Sequence, residues 1–415
     1  MFLRNFLLAG FLLITFNPQG QNNDTVHDYL HLYKVAEKLY NSENPTDNTD
    51  HLALLNYLKV ISILNKNNSN DTVLFNCYLK SGIISMSANE DHQAIQFFLQ
   101  SIDLENKSSH IPDSLLFKSY LYTGNSYHNI LNMDSALYYY NQAEYLISKY
   151  PTLSEAERLY NQAGVLYYET GDYKKSIIYF KKALSITESG LPLNKYFVVN
   201  YKNNIASAYR KVGDYREALD IYKSLLPNNI NKNELLQNIG VTLLEEGNYN
   251  EAVSYLNRVA YNNSSKYNDL GKAYTLLHNN DSAIYYFNAA LQFQNDLHST
   301  QKNIDYAYTL KYLGDILIQQ GAPDKAIKNY QQAIIQADPA FNDSNVLHNP
   351  QSFYGLHQSF FLFDALIAKA GALQMKYSQK AGDIFLTKSF ETYSSALELS
   401  RHVERIYNSD EARVF

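Results

Sequence analysis

The chain has 415 residues, with 35 Lys+Arg against 41 Asp+Glu and a formal charge of −6. That balance excludes a basic nucleic-acid-binding surface. A single cysteine, Cys77, excludes an internal disulfide, and 9 Pro, 16 Gly and 38 Tyr leave few helix breakers among many residues that pack helices.

Residues 1–20 predict a signal peptide. Arg4 supplies the positive start, residues 6–16 form an uninterrupted apolar run, and Asn17-Pro18 breaks it. That run is too short to span a bilayer comfortably. No later stretch is apolar enough to cross one, so the expectation is an exported chain with no stable membrane span after signal cleavage. For a bacterial source its location is periplasmic or extracellular.

Residues 26–65 predict an atypical N-terminal helix pair. A helix over 26–40 and a polar loop over 41–50 lead to a partner helix over 51–64 carrying Ala53, Tyr57 and Val60. The acidic residues Asp47 and Asp50 read as loop solvation. Cys77, between Asn76 and Tyr78, reads as a small packing residue on a helix.

From there a pattern recurs. A small residue stands at Gly82, Gly124, Gly164, Ala206, Gly240, Gly271 and Gly314, and twelve residues after each comes another, at Ala94, Ala136, Ser176, Ala218, Ala252, Ala283 and Ala326. Four further on stands a bulky one: Phe98, Tyr140, Phe180, Tyr222, Leu256, Phe287 and Tyr330. Spacings of three and four put such residues on one helix face. Small residues let two helices approach, and the large ring fills the space beside them. Successive pivots lie 42, 40, 42, 34, 31 and 43 residues apart, and Pro227 and Pro339 fall just after second helices, where a helix stops.

This order of small residue, Tyr, Ala, Phe and Ala, plainest in residues 159–184, resembles the tetratricopeptide repeat. The resemblance spans about seven repeats over residues 74–339. It implies an all-α fold, a right-handed α-solenoid of stacked antiparallel helix pairs following the signal peptide. It also implies a non-enzymatic scaffold that holds a protein or an extended peptide in a concave groove lined by the first helices.

Residues 340–351 predict a loop, and residues 353–407 a long C-terminal helix pair. Its first helix runs over 353–377; its second runs over 385–407, with Phe390, Tyr393 and Leu397 on one stripe. Lys369-Ala370, Gly382-Asp383, residues 393–397 and residues 409–411 follow in the order seen in the linker helices that precede CHAT domains, which are caspase-like cysteine peptidase domains. That resemblance implies an alternative: the regulatory or substrate-recognition half of a TPR–CHAT cysteine peptidase whose catalytic domain is missing from this chain.

Chemistry-bearing motifs are not found. There is no HExxH, no paired cysteine, no Gly-rich phosphate loop and no EF-hand loop. His27 and His31 lie one helical turn apart without a third ligand and read as solvated helix residues. No catalytic residue, cofactor or metal is therefore expected. The partner-binding candidates lie three and two residues before successive pivots: Asn161 and Gln162, Asn203 and Asn204, Gln237 and Asn238, Asn268 and Asp269. A carboxamide offers both donor and acceptor, so such a ladder suits the backbone of an extended peptide; the same amides can also bond neighbouring helices. Arg210, Lys211, Lys272 and Lys311 on the same helices are positioned to meet a carboxylate. The paired aromatics at 138–140 and 285–286 read as core on one side and inter-repeat packing on the other.

Overall fold

Local capping chemistry sets where the helices begin. The side chains of Asn132, Asp172, Asn263 and Asn303 each accept a hydrogen bond from a backbone N–H three residues on, at Ser135, Lys175, Lys266 and Tyr306, satisfying a donor that the helix leaves unpaired. Gly213, at φ 93°, closes one helix in the left-handed region that glycine enters without strain. A computed structural model describes residues 24–67, 71–107, 111–190, 193–296, 302–353 and 358–406. Among the described residues the chain is all-α, with 18 α-helices and no strand. The expected signal peptide lies outside the described residues, as do residues 409–411 and the His27 side chain. None of the described helices is long and apolar enough to cross a membrane, and among these residues no group of three acidic, His or Cys side chains is placed to hold a metal.

The chain divides into two compact units, residues 1–151 and 152–415. The first contains α1 (Asp24–Tyr40), α2 (Asp47–Asn67), α3 (Asp71–Ser87), α4 (Asp91–Lys107), α5 (Leu116–Asn129) and α6 (Met133–Lys149). They pack as successive pairs, each also touching the pair that follows. Ala36, Ala53, Tyr57, Val60, Leu64, Leu74 and Cys77 share one core, and burial pushes the Cys77 thiol up to about 12, as suits a packing residue. The expected loop at 41–50 is shorter than its polarity suggests, because α2 already starts at Asp47. Thr46 and Thr49 cap it reciprocally: the Thr49 N–H donates to Thr46 Oγ1 at 3.2 Å and the Thr46 N–H to Thr49 Oγ1 at 2.7 Å. Asp47 and Asp50 then sit in the first turn, where the helix dipole favours negative charge.

The second unit contains α7 (Ala156–Glu169), α8 (Tyr173–Ser189), α9 (Lys195–Val212), α10 (Tyr215–Leu225), α11 (Lys232–Glu246), α12 (Tyr249–Asn257), α13 (Ser264–Leu276), α14 (Asn280–Asp296), α15 (Ile304–Gln319), α16 (Pro323–Ala337), α17 (Ser359–Ser378) and α18 (Ile384–Ile406). The pivots do what their spacing predicts. A Cβ on Gly164 would sit 2.6 Å from the Phe180 ring, and one on Gly271 only 2.4 Å from the Phe287 ring. In most pairs the residue after the pivot is matched to the bulky residue opposite; Lys272, after Gly271 and opposite Phe287, is the exception. Where that residue is Tyr, its hydroxyl meets a polar partner on the first helix: Tyr140 donates to Asn125 Oδ1 at 2.9 Å, Tyr222 pairs with Ser207 at 2.8 Å and Tyr330 donates to Asp315 Oδ1 at 2.8 Å. Tyr57 does the same to Glu37, the residue after Ala36, at 2.9 Å. Where the bulky residue is Phe98, Phe180 or Leu256, the residue after the pivot is Ile83, Val165 or Val241.

The tyrosine excess has a second use. Tyr139 stacks on Tyr127, with ring centroids 5.5 Å apart, beside Tyr120; Tyr179 packs on Tyr167 beside Tyr160; and Tyr286 stacks on Tyr274 at 5.4 Å beside Tyr267. Each set ties a first helix to its own second helix. Tyr138 and Tyr285, expected to pack between repeats, instead stand 57% and 68% exposed on the outer edges of two of these stacks.

The C-terminal pair departs from expectation at its start. Residues 352–353 are not helical, and α17 begins at Ser359. The loop before it is held by its own bonds. Asp338 Oδ1 accepts from the backbone N–H groups of Ala340 and Phe341. The fully buried Lys369 amine donates to Gln331 Oε1 at 2.5 Å, the His348 carbonyl at 2.6 Å and Asn349 Oδ1 at 2.9 Å. Of the stripe of Phe390, Tyr393 and Leu397, Phe390 and Leu397 stand exposed, while the Tyr393 hydroxyl reaches α17, 3.8 Å from where a Cβ on Gly371 would sit. The α18 residues turned inward are Ser389, Thr392, Ala396, Leu399 and Val403, and Ser389 Oγ donates to the Ala370 carbonyl at 2.8 Å. The small and β-branched side of α18 is the one that fits against α17, so Phe390 and Leu397 point outward.

Candidate partner-binding face

In the second unit, each second helix packs against the first helix of the next pair, and the first helices also touch each other in turn, from α9 to α11, α13, α15 and α17. The candidate residues lie on first helices: Asn161 and Gln162 on α7, Asn203, Asn204, Arg210 and Lys211 on α9, Gln237 and Asn238 on α11, Asn268, Asp269 and Lys272 on α13, and Lys311 on α15.

The amides meet in a fixed register. The side chain three before one pivot bonds the side chain two before the next. Asn204 Nδ2 donates to Asn161 Oδ1 at 3.0 Å, Asn238 Nδ2 to Asn203 Oδ1 at 3.0 Å, and Gln237 Nε2 to Asp269 Oδ2 at 2.7 Å. Further groups extend the ladder: Asn203 Nδ2 donates to Glu234 Oε1, Gln237 Nε2 to Ser265 Oγ, and the Tyr261 hydroxyl to Gln237 Oε1, each at 2.9 Å. Asn268 departs from its expected place on an open face. It is 5% exposed, with its Nδ2 donating to the Asp305 carbonyl at 2.8 Å and its Oδ1 accepting from Thr309 Oγ1 at 2.7 Å. The amides thus serve one another and fix the spacing of the first helices. The bonding of neighbouring helices, one of the two uses the sequence left open, is realised here. Beside the ladder, a cleft of about 740 Å³ is lined by Asn229, Asn231, Glu234, Arg258 and Tyr261 among others.

Charges cross the same face. Arg210 Nη1 donates to Glu245 Oε1 at 2.6 Å, with only 13% of the Arg210 side chain exposed. Its buried Nε has no hydrogen-bond partner among the described residues. Lys311, also with 13% of its side chain exposed, sits between Asp315 Oδ2 at 3.0 Å and Asp364 Oδ2 at 2.7 Å. Burial pushes the Asp269 carboxyl up to about 7, against the Gln237 hydrogen bond and the Lys272 charge, which favour its ionised form. Burial raises Asp305 and Asp315 as well. It lowers Lys211, with the nearby Arg210 charge adding to the effect. Tyr308 stacks on Tyr312 and meets Phe361 edge-on at 4.5 Å, continuing the face to α17.

Sequence reasoning missed Glu234, Glu245, Asp305, Thr309 and Asp364, the partners that complete these contacts. The offset of three before one pivot and two before the next was available as a signal for the ladder. The acidic partners sit at no repeated offset, so no such signal marks them.

Residues 155–231 and 263–334 match a tetratricopeptide-repeat family profile, and residues 203–267 match a second. A stretch of 200 residues is 24% identical to anaphase-promoting complex subunit CDC16 of Saccharomyces cerevisiae, covering 48% of this chain and 21% of that protein, so the chain spans about a fifth of that curated relative's length. Among solved structures, the apo form of RapI is 15% identical and superimposes with a TM-score of 0.59, covering 92% of this chain and 98% of that one. A tetratricopeptide repeat protein from Parabacteroides merdae is 15% identical with a TM-score of 0.47, over 64% of this chain and 93% of that one.

Proposed function

Because residues 155–334 are tetratricopeptide repeats, we propose that this protein is a non-enzymatic scaffold that holds an extended peptide or a protein segment along the first helices of its second unit. The observation that carries this is the pair of largely buried cations, Arg210 beside Glu245 and Lys311 between Asp315 and Asp364, on helices that have no further layer of described residues as a principal contact. Taking Arg and Lys out of water is unfavourable unless partners offset it, and a face kept that way is prepared for charged groups of a ligand. Arg210, Lys211 and Lys272 meet carboxylates of the partner. Amide groups left over from the ladder meet its backbone. The rigid ladder lowers the ordering cost of binding, since the recognising groups are already in place. The apolar run in residues 6–16 supports an exported setting, periplasmic or extracellular.

Fluorescence anisotropy of the full chain against an array of random dodecapeptides tests this. Extended peptides carrying carboxylates bind at about micromolar Kd, and the Lys211→Glu/Lys272→Glu double variant loses them while its melting curve is unchanged. An array without binders, or binders indifferent to that variant, removes the reading.

A further inference from the structure

Two second helices are shorter than their neighbours, and the shortening leaves room. Helices α10 and α12 have 11 and 9 residues, against 17 in α6, α8 and α14. The cleft of about 740 Å³ lies at the turns that follow them, where the chain enters α11 and α13. Leu236 and Ala260 are the apolar members of its lining, and the rest carry polar groups. Several of these side chains are tied at one end and open at the other. Asn231 Nδ2 donates to Asn200 Oδ1 at 2.9 Å, and its Oδ1 has no partner among the described residues. Asn233 Oδ1 accepts from the Ala260 N–H at 2.9 Å, and its Nδ2 has none among them either. Glu234 gives Oε1 to Asn203 and keeps Oε2. The Tyr261 hydroxyl donates to Gln237 and can still accept. Asn229, at φ 55°, adds an exposed carboxamide. Arg258 lies 4.7 Å over the Tyr255 ring, and neither it nor Lys232 has an ion-pair partner among the described residues.

We propose that this cleft binds an acidic saccharide, its hydroxyls on the tied carboxamides and its carboxylate on Lys232 and Arg258. A hydroxyl donates and accepts at once, so it needs donors and acceptors side by side, and Asn233 Nδ2, Asn231 Oδ1 and Glu234 Oε2 are such a set. An extended peptide spreads its donors and acceptors along a strand and suits the long face of the first helices; the cleft is compact. The Tyr261 ring, 38% exposed, gives the C–H face of a sugar a flat apolar surface. Two cations against one carboxylate leave positive charge in the lining, which a carboxylate on the ligand meets and a neutral sugar does not. An apolar ligand would strip water from these polar groups without replacing its hydrogen bonds. Because one end of each side chain is already held, little rotamer freedom is lost on binding.

Isothermal titration calorimetry of the full chain tests this, with trigalacturonate, a hyaluronan tetrasaccharide, the methyl ester of each and a capped triglutamate peptide as probes. The expected result is saturable binding of at least one of the two acidic saccharides, weakened about tenfold in its ester by loss of the charge-assisted bonds, and no comparable binding of triglutamate. Arg258→Gln brings the acid down to the level of its ester. Asn229→Gly, which suits the left-handed backbone there, weakens acid and ester alike. Both variants keep the parent melting curve. The Lys211→Glu/Lys272→Glu variant keeps saccharide binding, so failure of this cleft and failure of the peptide face are read separately. No saturable heat from either acidic saccharide at about 5 mM, an ester that binds as tightly as its acid, or triglutamate that binds as tightly as the saccharides overturns the proposal.

Discussion

Gly164 and Gly271 carry more structural meaning than any charged residue in the chain, because an added methyl at either meets an aromatic ring at 2.6 or 2.4 Å. Gly164→Ala and Gly271→Ala are each expected to lower stability by about 1–3 kcal/mol, the usual range for overpacking, measured by urea denaturation. The natural Ala206 at the same place opposite Tyr222 shows that a helix pair can accommodate the methyl when its packing has developed around it, which a single substitution does not reproduce. Asp269 gives a pH signature. Its carboxyl, raised to about 7 by burial, holds a proton that the unfolded chain releases near pH 4. The native state therefore binds more protons across that window, and stability falls as pH rises from about 4 to about 7, then levels. Asp269→Asn is expected to flatten that slope and to raise stability above pH 7 by about 1 kcal/mol or more, leaving the smaller slope from the raised Asp305 and Asp315 carboxyls. Equal denaturation midpoints for variant and parent at pH 8 contradict this. The pivots were legible in the sequence because they recur in phase. The burial of Asn268 was not, because an Asn at a repeated offset looks the same whether it faces solvent or a neighbouring helix.

At the scale of the helix, the first helices of the second unit are linked side chain to side chain as well as through their second helices. Asn203 is a double joint, accepting from Asn238 and donating to Glu234. Asn203→Ala removes both bonds and strands the partly buried Asn238 amide, so a loss of about 1 kcal/mol is expected. Hydrogen exchange in α9 and α11 reads it, with faster exchange there and no change in α17; uniform behaviour across the unit contradicts a local role for the ladder. The sequence marked α18 as a helix with one bulky stripe but left open which way that stripe turns. A stripe of Phe390, Tyr393 and Leu397 gives the same periodicity whether it turns inward or outward. The choice was made by Ser389, Thr392 and Ala396, whose small side chains pack on α17. The acidic start of α2 was misread for a related reason: Asp47 and Asp50 suit a loop and the first turn of a helix equally, and the Thr46–Thr49 cap decides between them.

For the molecule as a whole, the repeat explains why 415 residues need no single central core. Within each unit a helix pair buries its apolar face on the next, and the first helices of the second unit are left with a polar, charged face that a scaffold can use. The architecture was legible because seven pivots in phase are hard to produce otherwise. The candidate face was legible only as far as the helices that carry it, since its acidic members come from positions without a repeat. Photo-cross-linking tests the central claim most directly, with a benzoylphenylalanine placed on the full chain either at Lys272, on a first helix, or at Tyr285, on the outside of a second helix, and exposed to extract of the source cell. The account predicts a discrete cross-linked peptide or protein from position 272, competed away by a bound array peptide, and none from 285. Capture from 285 alone, or from neither position, contradicts it.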